Sequence, residues 1–340
     1  MTKTFQMTRR TALLGGAALT GTLAAPALLK AQGRISWDRP IIAALNGREG
    51  DPTDISIRRI PQILADQYDI DITIEIYPSS QLSADIGQLE GVQNGLWDIA
   101  SNATASFFGF TDAFHFMDLP FLYASWDDAL AGIKSELMME RFARAEAQTP
   151  LKILPIVGAG GFRLLSQNRG EVRTPTDFAG LKMRSSFGGS VVDLNTLSAW
   201  GGVPTPLGWA ESYSAAQQGI IDGMFVQPIW TFIAGFHEVL HHATRVPSNW
   251  VGQLQVMNAS TWADIPENIK GPFMEAAQIA ADEGNALDRE REEGYITQLN
   301  DSGMAVYTPT EDELAAWREP ALATWENSGL DADLLARLRG

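Results

Sequence analysis

The sequence predicts an α/β protein of two domains, and three observations carry that prediction. Strand-like and helix-like hydrophobic periods alternate along the chain. The 340 residues suffice for two cores rather than one. No internal repeat or low-complexity tract points to a solenoid or a linker protein. The chain holds no cysteine, so no disulfide staples either core.

The elements follow in order. The N-terminus, "TRRTALLGGAALTGTLAAPALLKAQG", sets Arg9-Arg10 before an uncharged run from Thr11 to Leu29 and small residues near Ala31. Its Gly and Thr content is high for a membrane anchor, so residues 1–32 read as a twin-arginine export signal. Cleavage is expected near Ala31 or Gln32, and the compartment is expected to be the periplasm. "PIIAALN" (40–46) is a buried-strand run. Asp51-Pro52-Thr53-Asp54 starts a helix reaching about Gln67, with Pro61 as a kink point. "DIDITIEIYP" alternates apolar and polar residues, which defines a strand. "SADIGQLEGVQNG" reads as a helix ending at Gly95, and "LWDIAS" as a short strand. This β-α-β-α-β order implies a mostly parallel sheet covered by helices. Further on, strands are expected at 151–157, 162–168, 181–186, 203–207, 223–227 and 250–257. Helices are expected at 189–200, 209–218, 229–241, 264–300 and 310–326, with Thr310 and Glu313 as a capping box.

Charge narrows the function. The export signal holds Lys3, Arg9, Arg10 and Lys30 and no acid. Without them, 21 basic residues face 41 acidic ones, a formal charge of −20. Such a surface repels phosphate backbones and anionic lipid, so no nucleic-acid partner is expected. An anionic ligand would need a locally positive pocket, which makes the position of each arginine informative.

"GFHEVLHHATRVP" contains His237-Glu238-Val239-Leu240-His241, the H-E-x-x-H pattern of zinc metalloproteases. An exported zinc hydrolase is therefore one alternative. The pattern lacks its third ligand: Thr244 and Pro247 stand where the extended motif needs Gly and His. The competing reading is an amphipathic helix with Phe232, Ile233, Phe236, Val239 and Leu240 inward. No metal and no cofactor is expected.

Longer stretches agree in order with one family. "YPSSQLSADIGQLEGVQNGLWDIAS", "FMDLPFLYASWDDA" and "RTPTDFAGLKMRSSFGGSVVDLNTLSAWGGVPTPLGWAESYSAAQQGIIDG" resemble solute-binding proteins of tripartite ATP-independent periplasmic (TRAP) transporters, of the DctP-like type. The third matches T-P-x-D-x-x-G-L-K-x-R, G-x-x-P-T-P and E-x-Y-x-A-L-Q-x-G-x-x-D-G, and the similarity spans about residues 35 to 300.

The resemblance implies a two-lobed, non-enzymatic receptor with a long bridging helix. It would close on a small organic acid and hand it to a membrane permease. Lobe I is expected to hold 35–160 and 249–290, and lobe II 161–248 and 291–340, with a monomer expected before a dimer. An ABC-type receptor, which would share the shape but not these motifs, is the second alternative. The family's carboxylate-pairing arginine corresponds to Arg184. "LKMRSSF" is a short strand whose carboxyl end faces an inter-domain crevice, and a guanidinium fork matches a carboxylate. Arg163 matches an assisting arginine, and Trp209 an aromatic wall. Where many relatives have D-G-x-E-N, this chain has "DGMFVQP", so Phe225 replaces the acid and Gln227 stands in for the amide. Asn46 and Asn102 end strands where a cleft forms. Phe187 and Phe107 add to an expectation of some apolar ligand surface.

Overall fold

The structure, a computed structural model, describes residues 35–186 and 190–339. The expected export signal and Phe187 lie outside the described residues. The first strand begins earlier than expected, as β1 (Ile35–Leu45). Its ladder shifts between Trp37 and Ile41, around Pro40, which has no N–H to donate. Asp51 accepts from the N–H groups of Thr53 and Asp54, and Pro52 fills the first turn of the helix Pro52–Tyr68, which runs on through Pro61. Asp69, left-handed at φ 53°, ends it. β2 (Ile70–Tyr77), the helix Ile86–Gln93 and β3 (Ile99–Ala103) complete the expected order, with β1 parallel to both other strands.

Two helices follow that the periodicity did not assign, Trp126–Gly132 and Glu136–Gln148. The strand expected at 151–157 is divided into β4 (Leu151–Ile153) and β5 (Val157–Phe162), with Pro155 between them. Then come β6 (Leu164–Gln167), β7 (Lys182–Ser186), β8 (Val203–Leu207), β9 (Gly223–Val226), β10 (His242–Thr244), β11 (Trp250–Asn258) and β12 (Ala305–Tyr307). The first sheet runs β2-β1-β3-β11-β4, with β5 also on β11; the second runs β12-β10-β6-β9-β7-β8.

Both sheets are mixed. Each keeps a parallel trio, β2-β1-β3 and β9-β7-β8, but β11 runs antiparallel to β3, and β6 antiparallel to β9 and β10. The expectation of mostly parallel sheets is corrected here: β6 and β11 enter from the opposite lobe and so meet their neighbours head to tail. The chain passes between sheets after β5 and before β11. Near the end of β5, just before the first passage, Gly160 (φ 99°) and Gly161 (φ 83°) take a positive-φ backbone that strains any residue with a side chain.

The helix Glu267–Asp301 has 35 residues and spans about 50 Å. Ile269, Phe273, Ala276, Ala277 and Ala280 pack into the core of β1, β2 and β3, while Ile296 and Leu299 pack with Leu164 and Met224 of the second sheet. It therefore bridges both bodies. At its middle, Asn285 Oδ1 and Asp288 Oδ2 accept the N–H groups of Gly158 and Gly160, each at 2.6 Å. The capped helix Glu311–Ala323 places Trp317 and Ala321 against the second sheet. The tail then returns: Trp325, Leu334 and Leu335 lie in the cluster around Phe107, Phe116 and Leu254 of the first body.

The helix expected over 229–241 is shorter, Pro228–Ile233. Gly235 is left-handed at φ 77°, and after it come a 3₁₀ turn, Phe236–Glu238, and β10. A glycine there favours helix termination.

Candidate functional site

A cleft open to solvent lies between the two sheets. The first body supplies Asn46 at the end of β1, Asp85 before the helix Ile86–Gln93, Ser101 and Ala103 of β3, and Gln253 of β11. The second supplies Arg163 between β5 and β6, Arg184 and Ser185 of β7, Asp193, Trp209, Phe225 and Gln227. The carboxyl ends of parallel strands point here because helices must return from that edge, which leaves a crevice.

Six of the seven residues singled out from the sequence line this one cleft: Arg184, Arg163, Trp209, Gln227, Phe225 and Asn46. Asn102 does not. It is fully buried behind the wall, and its Nδ2 donates to the Asp85 carbonyl at 3.1 Å. Phe107 is also displaced from expectation: it is buried in the first core, edge-on to Phe114.

Arg184 donates through Nε to the Leu207 carbonyl at 3.1 Å, and its guanidinium carbon sits 5.7 Å from the Trp209 ring centre. Burial pushes it down to about 10, against the opposing pull of Asp85. It therefore stays charged at neutral pH. Arg163 pairs with Asp193 at 2.7 Å, with both side chains about 10% exposed. Burial alone would depress Arg163, but Asp193 and then Asp118 outweigh it and hold its pKa above the ordinary value. Asp118 lies behind this pair, pushed up to about 7 by burial and by the Asp193 charge.

Three lining side chains carry a buried polar atom with no hydrogen-bond partner among the described residues: Ser101 Oγ, Ser185 Oγ and Gln253 Oε1. Leaving such a group unsatisfied costs about 1–3 kcal/mol. The apolar wall is Trp209, Trp230 and Phe225, braced edge-on by Phe236 and Trp200. The sequence reading missed Asp85, Asp193, Ser101, Ser185, Gln253 and Trp230. The two aspartates lie in segments expected to be helical, and the others come from strands and helices whose facing partners are far away in sequence.

The histidine motif does not form a metal site. His237 stacks on Phe232 with ring centres 4.9 Å apart, Glu238 accepts the Tyr213 hydroxyl at 2.8 Å, and His241 lies beyond the 3₁₀ turn. Among the described residues, no group of three His, Cys, Asp or Glu side chains is placed to hold a metal ion.

Two α/β bodies, spanned by one helix and with two arginines on the wall of the cleft between them, have the architecture of a two-lobed binding protein. The chain belongs to bacterial extracellular solute-binding protein family 7, DctP-like, whose model matches residues 48–330. Members of this family are solute-binding receptors and not enzymes. The C4-dicarboxylate-binding periplasmic protein of Rhodobacter capsulatus is 29% identical over 255 residues, 73% of this chain and 74% of its own. The fold matches a TRAP periplasmic solute-binding protein from Sulfurospirillum deleyianum with bound succinate (TM-score 0.81, 21% identity, 88% of this chain and 98% of that one). It also matches one from Chromohalobacter salexigens with bound D-glucuronate (TM-score 0.80, 22% identity, 88% and 97%).

Proposed function

We propose that this chain is a periplasmic receptor that captures a small organic acid between its lobes and delivers it to a TRAP membrane permease. The observation that carries the reading is a pair of half-buried guanidiniums, Arg163 and Arg184, on the wall of a cleft in a chain of strongly acidic composition. Arg184 pairs with the ligand carboxylate, and Arg163, already held by Asp193, supports it. The hydroxyls of Ser101 and Ser185 and the amides of Gln227 and Gln253 bind the remaining polar groups. Trp209 and Phe225 flank the carbon skeleton. The succinate and D-glucuronate of the structural neighbours are acids of the class proposed.

Capture works by hinge closure. Ligand contacts made to both lobes favour the closed state over the open one. The lobes divide by sheet: strands β1 to β5 with β11 in lobe I, and β6 to β10 with β12 in lobe II. The C-terminal tail from about 325 goes with lobe I, where its leucines pack. The glycines at 160 and 161 form one hinge strand, and the long helix braces it. Arg9-Arg10 would direct export, and the mature receptor works as a monomer.

A thermal-shift screen of small organic acids tests the reading. A ligand that binds only the folded form adds about 2.7 kcal/mol at 100 times its dissociation constant, a readily seen shift. Stabilisation by neutral sugars or metal ions and by no acid would refute it. Delivery is tested separately: the gene's neighbours should encode two integral-membrane permease subunits and no ATPase. Lysines at positions 9 and 10 should trap the precursor inside the cell.

A further inference from the structure

Among the described residues, the cleft wall carries two guanidiniums, Arg163 and Arg184, and two carboxylates, Asp85 and Asp193. With Asp118 also behind the Arg163–Asp193 pair, the wall has no surplus of positive charge before any ligand arrives. Asp193 is committed to Arg163. Asp85 belongs to the other lobe and is built into place with care. Its backbone is at φ 46° and ψ −121°, a conformation that is strained for a non-glycine residue. Two asparagine side chains hold it there. Asn46 Oδ1 accepts the Asp85 N–H at 3.1 Å, and Asn102 Nδ2 donates to the Asp85 carbonyl at 3.1 Å. The result aims the carboxylate across the cleft, where Oδ2 accepts the Trp209 N–H at 3.2 Å at the start of the helix Trp209–Gln217. This is the same end of the cleft that holds Arg184, whose guanidinium lies over the Trp209 ring.

We infer that Asp85 is a specificity residue that selects acids bearing a hydrogen-bond donor, an ammonium or a hydroxyl, at the end of the carbon chain away from the carboxylate, and that it works against dicarboxylates. The inference rests on the cleft being the ligand site. Charge balance supplies the reason. A dicarboxylate would bring two negative charges to a largely buried wall with no surplus of positive charge and set one of them towards the Asp85 carboxylate. A simple monoanion leaves one charge in excess. A molecule with one carboxylate towards Arg184 and one donor towards Asp85 presents a complementary group to each, and an amino acid does so with no net charge added. Buried charges without a partner are disfavoured, so the match sets the order of affinities. Asn46 and Asn102 become positioning residues for this carboxylate.

The test is a panel of three- to five-carbon acids in matched sets, of which the four-carbon set is butanoate, 4-hydroxybutanoate, 4-aminobutanoate and succinate. Binding is measured by thermal shift and calorimetry on the full exported chain, as wild type, Asp85→Asn, Asp85→Ser and Arg184→Ala. Asparagine keeps an acceptor for the Trp209 N–H while removing the charge, and serine is the second neutral variant. The wild type should prefer a donor-bearing acid over its plain and dicarboxylate counterparts, and the hydroxy and amino arms identify which donor. Asp85→Asn should weaken that acid about 10- to 100-fold, the range of one charge-assisted hydrogen bond, and improve the dicarboxylate about tenfold or more. If Arg184→Ala abolishes binding while both Asp85 variants keep the wild-type ranking, the inference is overturned and the receptor reading stands. If no acid binds the wild type, the receptor reading falls and this inference falls with it.

Discussion

Replacing Arg184 by alanine is the sharpest perturbation of the cleft. The side chain is anchored through Nε to the Leu207 carbonyl and packed over Trp209, so its fork is fixed before a ligand arrives. Burial lowers its pKa only to about 10, which leaves it protonated at pH 7. Truncation would leave a ligand carboxylate buried without its partner, a loss of about 3–5 kcal/mol. At about 1.4 kcal/mol per decade, affinity should fall between roughly 100-fold and several thousand-fold. Arg184→Lys should lose much of the same affinity, because an ammonium cannot hold Leu207 and grip a carboxylate in a plane together. Calorimetry with the acid found by screening reads both variants, and circular dichroism checks their fold. An Arg184→Ala affinity within threefold of wild type would refute the reasoning.

Three further outcomes are expected. Burial pushes Asp288 up to about 8, partly offset by the Gly160 N–H, and pushes Asp51 up to about 6. Both hold their protons more tightly in the folded state than in the unfolded chain, where a carboxyl titrates near ~4. Their contribution is therefore full below that value and is lost progressively as pH rises from ~4 to about 6 for Asp51 and from ~4 to about 8 for Asp288, so the melting temperature should fall between pH ~4 and ~8, most steeply in the lower half. Asp288→Asn, which keeps an acceptor for Gly160, should flatten the fall; an unchanged slope would exclude Asp288 as its source. Gly160→Ala should destabilise by about 1–3 kcal/mol, since φ is 99° and the new methyl would lie 2.0 Å from Ile229 Cγ2. A melting temperature equal to wild type would show that the β5 passage tolerates a side chain. Finally, purified protein should carry no stoichiometric zinc, and His237→Ala should leave acid binding intact; elemental analysis showing one zinc per chain would reopen the hydrolase reading.

Most strands and the long helices were legible because period and punctuation are local properties. Ile70, Ile72, Ile74 and Ile76 alternate whatever surrounds them, and Asp51-Pro52 starts a helix from its own side chains. The same locality misled at residues 229–241, where an apolar helical stripe outweighed Gly235 until its left-handed backbone ended the helix. The HEVLH pattern then lost its geometry. Arg184, Arg163, Trp209, Phe225 and Gln227 were found because they sit within motifs that match a family or stand where its pattern changes, not because their surroundings could be read.

The sequence by itself determined the α/β alternation, the acidic charge, the absence of disulfides and the arginines available to face a cleft. Tertiary structure alone decided which groups share that cleft. Asp85 meets Trp209 across 124 positions, and Gly160 meets Asp288 across 128. It also set the direction of β6 and β11, which cross directly from the other lobe and run antiparallel to their new neighbours. Such pairings depend on long-range packing and electrostatics, which depend on distance in space and not on separation along the chain.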